Sequence, residues 1–364
     1  MTSTLKWAKI CPPWRGSLQM FDPNFKYTNT IVTNLVEITS AREIILNAYL
    51  IPKWGVSLRR EALIRATHAS TAIEGNPLTL EEVSKLAQGR EITANRRAKQ
   101  EVLNYLKVLE SIEKYQKDGK ILEKHILNIH RDITRDTLEN PEWEGKYRKI
   151  QVYVGNKITG EVIFTPPSPE EVPGLMRSFI EWLNSKESFN LHPAIVAGIS
   201  HYEFVRIHPF ADGNGRCARA LATLIFYIRK FDIKRFFALD DYYDSDRKAY
   251  YSVLKSVDQK TLDLTQWLEY FTEGVKLSIL KVKERVLQLS IEKGRIERKG
   301  QIALNERQMK IIEFIQSNGR ITSADIQKMF KISRQAAHKE IRKLLQLEIV
   351  ERQGFGKGIF YAFK

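Results

Sequence analysis

The sequence predicts a mainly α-helical protein of two or three domains, with a β-hairpin set into the helical part. Three observations lead to this fold class. The 364 residues exceed what one hydrophobic core usually serves. Apolar residues recur three and four positions apart over most of the chain, as on one face of a helix. Strand-like pairs around glycine-containing loops occur at 148–167 and 348–363, so we expect sheet in two hairpins.

The composition is that of a folded protein without membrane segments or a disulfide framework. Hydrophobic residues make up 43% of the chain and charged residues 28%. No run approaches 18 apolar residues, and the first residues lack the apolar core of a signal peptide. The two cysteines, Cys11 and Cys217, are too few for a disulfide framework or a cysteine-based zinc site. We therefore expect a cytoplasmic protein with no membrane partner.

Capping signals divide the first half of the chain into helices. A run of helical periodicity at 57–73 stops at Glu74-Gly-Asn-Pro77, where Gly and Pro follow in the order that ends a helix. Thr79-Leu-Glu-Glu82 is a capping box, which predicts that a new helix begins there. The other helices predicted in this half lie at 34–50, 97–117 and 122–138.

The stretch HPFADGNGRCAR, residues 208–219, joins two predicted buried helices. Its segment from Gly213 to Ala218 formally matches the dinucleotide-binding signature GxGxxG/A. That signature requires a preceding strand within a βαβ unit, whereas a helical pattern at 195–207 precedes this segment and an apolar run at 221–228 follows it. A P-loop is excluded because no GxxxxGK[ST] occurs.

The residue types in this stretch favour phosphate binding. Gly213 and Gly215 allow positive φ, so successive backbone N–H groups can form an anion-binding nest at the start of the following helix. Arg216 and Arg219 project from one face of that helix and can reach phosphate oxygens. Arginines in a first turn oppose the helix dipole, and a bound polyanion would resolve that conflict.

A base and a carboxylate flank the glycines. His208 has the near-neutral pKa of a general base, and Asp212 suits Mg²⁺, which prefers few carboxylates together with substrate phosphates. Each residue alone also fits a structural interpretation, because Asp-Gly-Asn-Gly is an ordinary turn and a histidine before proline is usually structural. The coincidence of all of them favours a phosphate site.

At every defined position the stretch resembles the Fic family motif HPF-x-[D/E]-GN-G-R-x-x-R, and the resemblance covers most of residues 28–273. It implies an all-α domain with a β-hairpin flap that transfers AMP from ATP to a hydroxyl side chain of a target protein. It also implies that His208 deprotonates the hydroxyl and that Asp212 holds Mg²⁺ on the nucleotide. The implied nucleotide-binding residues are Gly213, Asn214 and Gly215 as the anion hole, Arg216 at the β-phosphate and Arg219 at the γ-phosphate.

Ser70-Thr-Ala-Ile-Glu-Gly75 is similar to the inhibitory motif of the same family, [S/T]xxxE[G/N]. The resemblance implies that Glu74 pairs with Arg219 and obstructs the γ-phosphate position, with Ser70 in the same helix. A negative charge in the last turn of a helix is disfavoured, so Glu74 would be better placed beside a cation. The alternative interpretation is a solvated carboxylate at a helix end.

The first hairpin, RKIQVYVGNKITGEVIFTPP at 148–167, corresponds to the family's flap, which pairs with a target segment as an added strand. The resemblance places Thr165 near the nucleotide. Tyr242 and Tyr250 look similar to the aromatics that border the adenine pocket in the family. Packing between helices explains these two tyrosines equally well.

The C-terminal segment resembles a winged helix-turn-helix domain. A helix is predicted at 322–330, Ser333 caps a second helix through 347, and strands flank the glycine-rich GFGKG. Residues 276–364 hold 20 Lys/Arg against 9 Asp/Glu, hence +11 of the chain's net +15. DNA is therefore the favoured partner, and protein contacts or dimerisation are the alternative. The DNA-binding candidates are Arg334, Gln335, His338, Arg342 and Lys357.

The predicted domain order is an N-terminal helical region at 1–105 with an inhibitory helix at about 57–74, a Fic catalytic domain at 106–275, a basic helical linker at 276–302 and a winged helix domain at 303–364. The predicted function is autoinhibited transfer of AMP from ATP, with Mg²⁺, to a Ser, Thr or Tyr of a target protein. Removal of AMP through Glu74 and nucleotide-sensing regulation of transcription remain alternatives. Self-modification and a homodimer are both compatible with the sequence.

Overall fold

The computed structural model describes residues 21–48, 50, 52–155, 162–296, 305–347 and 349–363. Cys11, the middle of the first hairpin at 156–161 and residues 297–304 in and after the predicted linker lie outside the described residues. In the described part of the chain no helix combines the length and apolar character needed to span a bilayer.

The described residues from 21 to 296 form a helical body around two buried helices. α8 (Pro193–Ile207) and α9 (Asn214–Ile228) pack against each other, and most of their residues are buried in the main apolar core. α1 (Asn29–Asn47) pairs with α12 (Thr265–Ile296) and closes this core. The other helices of the body are α2 (Pro52–Ile73), α3 (Leu80–Ala87), α4 (Arg96–Glu110), α5 (Glu123–Thr134), α6 (Val172–Leu183), α7 (Lys186–Asn190), α10 (Asp240–Ser245) and α11 (Arg247–Ser256).

The two predicted hairpins are present, and together with the helices they confirm the mainly α fold class. β1 (Val154–Gly155) pairs antiparallel with β2 (Val162–Phe164). The described strands are much shorter than the 148–167 prediction. One physical reason is that side chains of Arg148 and Gln151 take the carbonyls of Ile150, Pro166 and Pro167, which a longer ladder would have used.

The C-terminal body has its own apolar core. It consists of α13 (Glu306–Asn318), α14 (Ser323–Phe330), α15 (Arg334–Gln346), β3 (Val350–Gln353) and β4 (Phe360–Phe363). β3 and β4 pair in antiparallel register, with Val350 opposite Phe363. Thr322 and Ser333 cap α14 and α15, so the predicted helix starts are confirmed. Val56 of α2 packs into this second core, which therefore joins the two bodies.

Several helix ends differ from the prediction because local hydrogen bonds replace the regular pattern. Thr28 caps α1 through the N–H of Ile31, so that helix begins five residues early. The helix predicted at 97–117 leaves α geometry after α4 and continues as a 3₁₀ turn at Ile112–Tyr115. The capping box at Thr79 is confirmed, since its hydroxyl accepts from the N–H of Glu82.

The domain boundaries at 105, 275 and 302 stay predictions. α4 crosses the first boundary and α12 crosses the second without interruption. Val286 and Leu289, inside the predicted linker, are buried in the main core. The described part of that linker thus continues a helix of the helical body.

Candidate active site

The loop between α8 and α9 is closed by its own side chains. His208 ends α8 in the left-handed conformation, with φ 51° and ψ 57°. The side-chain amide of Asn214 exchanges two hydrogen bonds with the backbone of Phe210, at 2.9 and 2.8 Å. Gly213 has φ +80°, and a Cβ there would lie 2.9 Å from Cγ2 of Thr134. Glycine is therefore required for both conformation and space. The side-chain amide of Asn214 thus serves the loop, and the anion hole formed by residues 213–215 stays a prediction.

The ring of His208 is held in one orientation. Its Nδ1 lies 3.1 Å from the carbonyl oxygen of Val205, which can only accept, so Nδ1 carries the proton and Nε2 is the free acceptor. Burial lowers the pKa of His208, and the nearby charge of Arg148 acts in the same direction. The hydrogen bond to Val205 and the charges of Glu74 and Asp212 oppose that shift. A neutral ring with an open Nε2 can take a proton from a hydroxyl.

A second histidine, which the sequence reasoning missed, supports the loop. The N–H of Gly145 donates to Nδ1 of His130 at 2.9 Å, so Nε2–H donates to the carbonyl of Asp212 at 3.0 Å. The His130 ring stacks on Phe210, with 3.7 Å between centroids. Burial lowers the pKa of His130 to about 4 and keeps the ring neutral. Nothing in the local sequence marks His130, because both partners come from distant segments.

Arg216 is a buried cation beside the first turn of α9. The residue is 3% exposed, and its Nε and Nη1 have no hydrogen-bond partner among the described residues. The first N–H groups of α9 point to the same end of the helix, since a helix leaves its first four N–H groups unbonded. A buried guanidinium next to a helix N-terminus is a strong attraction for an anion.

Arg219 lies one turn further on, and both Nε and Nη2 have partners. Its Nη2 donates to Oε1 of Glu74 at 2.7 Å and to the carbonyl of Ser70 at 2.9 Å, and its Nε donates to Oγ of Ser70 at 2.6 Å. Oδ1 of Asp240 lies 3.3 Å from Nε. Burial raises the pKa of Asp240 to about 6 although Arg219 opposes that shift. The predicted pair of Glu74 and Arg219 is thus in contact, and Asp240 is a partner that sequence reasoning missed.

Glu74 stands directly over the glycine loop. A Cβ on Gly215 would collide with Oε1 of Glu74, so the carboxylate touches the start of α9. The Glu74 side chain remains 33% exposed, whereas the Arg219 side chain is 1% exposed. A carboxylate at this helix N-terminus occupies the position where an anionic ligand would bind.

The donor set suits Mg²⁺ only in the presence of a nucleotide. Asp212 keeps its side chain 50% exposed; Oδ1 accepts from the N–H of Gly213, and Oδ2 lies 3.9 Å from Arg97. Among the described residues no three His, Cys, Asp or Glu side chains are grouped closely enough to hold a metal. Mg²⁺ commonly takes one or two carboxylates and completes its shell with phosphates and water, which fits a lone Asp212.

Of the two tyrosines predicted at the adenine pocket, Tyr250 lies in the core and Tyr242 is half-buried against it. Tyr250 is 2% exposed, and its hydroxyl lies 2.8 Å from Nε2 of His201. Tyr242 packs on Tyr270 at 5.0 Å between centroids and against Gly274. Both tyrosines make packing contacts, and their predicted place beside the adenine stays a prediction. The next residue, Tyr251, is 48% exposed; burial and the charge of Glu74 raise its pKa, and Arg219 opposes that shift.

Thr165 follows β2 and is exposed, so its proximity to the nucleotide stays a prediction. A cavity of about 570 Å³ lies behind the ion pair of Arg219 rather than at His208. Its lining includes residues of α2, α4, α9 and α10, among them Asp240. His208, Asp212 and Glu74 are not among the residues that line this cavity.

The candidate DNA-binding residues fall on α15 and the β3–β4 turn. Arg334, Gln335 and Arg342 are exposed, and His338 is half-buried. Lys357 lies in the 3₁₀ turn Gly356–Gly358, and its side chain lies outside the described part. Phe355, which precedes this turn, is 96% exposed.

Two family models match the chain. Residues 120–226 match the model described as Fic/DOC family, and residues 304–351 match the model described as winged helix-turn-helix DNA-binding. The first match contains the glycine loop with His208 and Arg219. The second contains α13 to α15.

Among curated proteins, the protein adenylyltransferase Fic of Nematostella vectensis is 34% identical over 209 residues, covering 54% of this chain and 46% of that protein. The protein of the same name from Aedes aegypti is 30% identical over 226 residues, covering 57% and 42%. The chain spans less than half the length of these relatives. A crystal structure of a Fic family protein from Desulfovibrio desulfuricans G20 superposes with a TM-score of 0.62 at 26% identity, covering 94% of this chain and 98% of that one.

Proposed function

We propose that this chain, whose helical body carries a Fic domain and whose C-terminal body is a winged helix, is an adenylyltransferase held inactive by Glu74. The observation that carries the proposal is the arrangement of one loop. The acceptor Nε2 of His208, the N-terminus of α9 and the buried Arg216 converge within nine residues of sequence. Such a set binds a polyphosphate and removes a proton beside it.

The proposed reaction is an in-line substitution at phosphorus. His208 accepts the proton of a Ser, Thr or Tyr hydroxyl at Nε2, and the oxygen forms a bond to the α-phosphorus of ATP. The bond from that phosphorus to the bridging oxygen breaks, and pyrophosphate leaves. Arg216 and the first N–H groups of α9 stabilise the charge on the leaving phosphates. Asp212 would hold Mg²⁺, whose charge offsets that of the phosphates when it is bound.

The contact of Glu74 with Arg219 supports inhibition. Arg219 is the buried cation that the family resemblance assigns to the γ-phosphate, and Glu74 takes its Nη2 at 2.7 Å. The carboxylate also adds a negative charge at the N-terminus of α9, where phosphate would bind. Removing the Glu74 carboxylate releases Nη2 of Arg219 from this partner and opens the space above Gly215.

The hairpin offers a docking edge for the target protein. Ile150, Tyr153, Val162 and Ile163 are all exposed, at 48, 63, 53 and 44%. β1 and β2 form a two-stranded sheet, so an unpaired edge is open to an added strand. The target is therefore a protein segment in extended conformation that presents a hydroxyl to His208.

The proposal is tested by weighing intact proteins after incubation with Mg²⁺ and ATP. The set is wild type, Glu74→Gly, Glu74→Gly/His208→Ala and the control Glu61→Gln, which changes an exposed carboxylate of the same helix. We expect Glu74→Gly to raise AMP transfer to itself or to lysate proteins roughly 10–100-fold, because a charged hydrogen bond worth about 1.5–3 kcal/mol no longer competes with phosphate.

The double variant should lose that transfer, and Glu61→Gln should behave as wild type. Equal transfer by wild type and Glu74→Gly at saturating ATP would contradict the proposed inhibition by Glu74. If Glu74→Gly forms no AMP adduct on itself or on lysate proteins, the proposed transferase activity is wrong. Release of AMP from modified protein by wild type alone would favour the reverse reaction.

DNA is the proposed partner of the winged helix, supported by the exposed Arg334 and Arg342 on α15. Fluorescence anisotropy with a random-sequence duplex should show salt-dependent binding. Substituting both arginines by alanine should lower the slope of log Kd against log salt by about 1 for each phosphate that the variant no longer neutralises. Lys310→Ala, which changes an exposed lysine of α13, is the control. An unchanged slope would favour a protein partner.

A further inference from the structure

Arg148 connects three separate segments of the active-site region. Its Nε donates to the carbonyl of His208 at 2.8 Å, its Nη1 to the carbonyl of Ile150 at 3.1 Å and its Nη2 to the carbonyl of Pro167 at 2.5 Å. Its own backbone N–H donates to the carbonyl of Pro209 at 2.9 Å. The side chain therefore joins both ends of the hairpin to the residue that carries the base.

The guanidinium is committed to these backbone acceptors. Arg148 is 4% exposed, and all three of its nitrogens donate to carbonyls. Burial lowers the pKa of Arg148, and the charge of Glu170 offsets part of that shift. A buried guanidinium that donates to several carbonyls at once keeps a rigid planar geometry, because each donor has a fixed direction.

Each of the three carbonyls needs an external donor. His208 has the left-handed conformation that ends α8, so its carbonyl points out of the helix. Ile150 and Pro167 lie outside the short β1–β2 ladder, so this ladder supplies no partner for their carbonyls. Gln151 adds a bond to the carbonyl of Pro166 at 3.0 Å and closes the base of the hairpin.

We propose that Arg148 is a positioning residue that sets the distance and orientation between the target-docking hairpin and Nε2 of His208. The inference rests on the proposed transferase function, because the hairpin is the proposed docking edge and His208 the proposed base. Arg148 itself touches neither ATP nor the target hydroxyl. It fixes the frame in which a hydroxyl presented by the hairpin meets the base, and small displacements there are costly to the rate.

The charge of Arg148 has a separate consequence for His208. The charged groups facing His208 are Arg148, Glu74 and Asp212, and of these three only Arg148 lowers its pKa. Replacing Arg148 by Lys keeps the charge and loses the fork of donors. Replacing it by Met loses both. The two variants therefore separate geometry from charge.

The test uses the full chain carrying Glu74→Gly, compared with the same chain plus Arg148→Lys, Arg148→Met or Lys149→Met. Lys149 is the exposed neighbour and serves as the matched control. We expect both Arg148 variants to lose about 100-fold in AMP-transfer rate at saturating ATP. The affinity for ATP should change less than about threefold, because the anion nest is untouched. Lys149→Met should match its parent.

Two further readouts distinguish positioning from loss of structure. Backbone hydrogen exchange in peptides covering 149–155 and 162–168 should be faster in both Arg148 variants and unchanged in Lys149→Met. The acidic limb of the rate against pH should move to higher pH in Arg148→Met, where the pKa of His208 rises, and stay in place in Arg148→Lys.

Transfer rates within about threefold of the parent in both Arg148 variants would overturn the proposal, since a misplaced base costs far more. If Glu74→Gly itself transfers no AMP, the proposed function fails. Backbone hydrogen exchange of the hairpin peptides then decides whether Arg148 has a positioning role. Unchanged exchange in both variants would then overturn the positioning role, while faster exchange with intact ATP binding supports it.

Discussion

The two ends of α2 contact different parts of the molecule by different means. Near its start, Val56 packs into the core of the winged helix and the Arg60 guanidinium lies 5.4 Å from the centroid of the Phe363 ring. At its end, Ser70 and Glu74 bind the buried Arg219. The first contact is mostly apolar and peripheral, and the second is ionic and central.

This difference teaches which end can be changed without loss of the fold. The nearby pair of Arg90 and Glu351 has side chains 48 and 33% exposed, and such pairs contribute roughly 0–1 kcal/mol. Arg219 by contrast has two carboxylates and a serine around it, so removing Glu74 still leaves Asp240 and Ser70 as partners. A switch at Glu74 is therefore compatible with a stable core.

The sharpest way to break the comparison is to remove the other carboxylate. Among the described residues, Asp240→Ala leaves Arg219 with one carboxylate partner, the partly exposed Glu74. We expect the free energy of unfolding to fall by about 3 kcal/mol. Glu74→Gln should lose less than about 1 kcal/mol, because the amide oxygen of glutamine can still accept from Arg219 and because Asp240 and Ser70 remain. Urea denaturation of both variants measures this. A larger loss for Glu74→Gln than for Asp240→Ala would contradict this account of the ionic end.

The stability contributed near the ionic end of α2 should also depend on pH. Burial lowers the pKa of His201 to about 3, and Arg219 acts in the same direction. An unfolded histidine titrates near 6.5, so below that pH the unfolded state binds more protons and stability falls as the pH decreases towards 3. Between pH 7.5 and 4.5 this residue should account for about 2.5 kcal/mol of lost stability.

His201→Asn tests that dependence, since asparagine keeps a polar side chain and does not titrate. The difference in unfolding free energy between pH 7.5 and 4.5 should shrink by about 2.5 kcal/mol relative to wild type. Burial also raises the pKa of Asp240 to about 6 and that of Glu110 to about 7, so these two carboxyl groups stabilise the folded state as the pH falls. Both groups are present in wild type and in His201→Asn, so their effect cancels in the comparison. An unchanged difference would mean that His201 does not carry the effect.

At the apolar end, Val56→Asp should weaken the contact between the two bodies by about 2 kcal/mol, because it removes a buried valine and buries a charge. Calorimetry should then show the winged helix unfolding separately from the helical body. Glu61→Gln on the same helix is the control. A single transition identical to that of wild type would indicate that Val56 does not hold the two bodies together.

The smallest effect is expected for the exposed pair at this end. In a double-mutant cycle, Arg90→Glu and Glu351→Arg should each cost less than about 1 kcal/mol and partly restore each other when combined. The coupling should fall with added salt. A coupling above about 2 kcal/mol would place this pair among the strong contacts of the molecule.

The local elements were largely predictable, because periodicity and capping depend on neighbouring residues. The capping box at Thr79, the cap at Ser333 and the helices around 208–219 follow from spacing alone. The positions of the tyrosines did not follow from spacing. Tyr250 and Tyr251 are adjacent and chemically alike, yet one is in the core and the other is 48% exposed, because their side chains leave the helix about 100° apart.

The sequence by itself determined the helical class, the two hairpins and the identity of the loop that carries His208, Arg216 and Arg219, since these depend on residue type and short-range order. Tertiary structure decided the partners of those residues. Asp240 reaches Arg219, His130 supports Asp212 and Arg148 joins the hairpin to His208, each across a long stretch of chain. Burial then made these contacts matter, because a polar group withdrawn from water must find its partner in the fold.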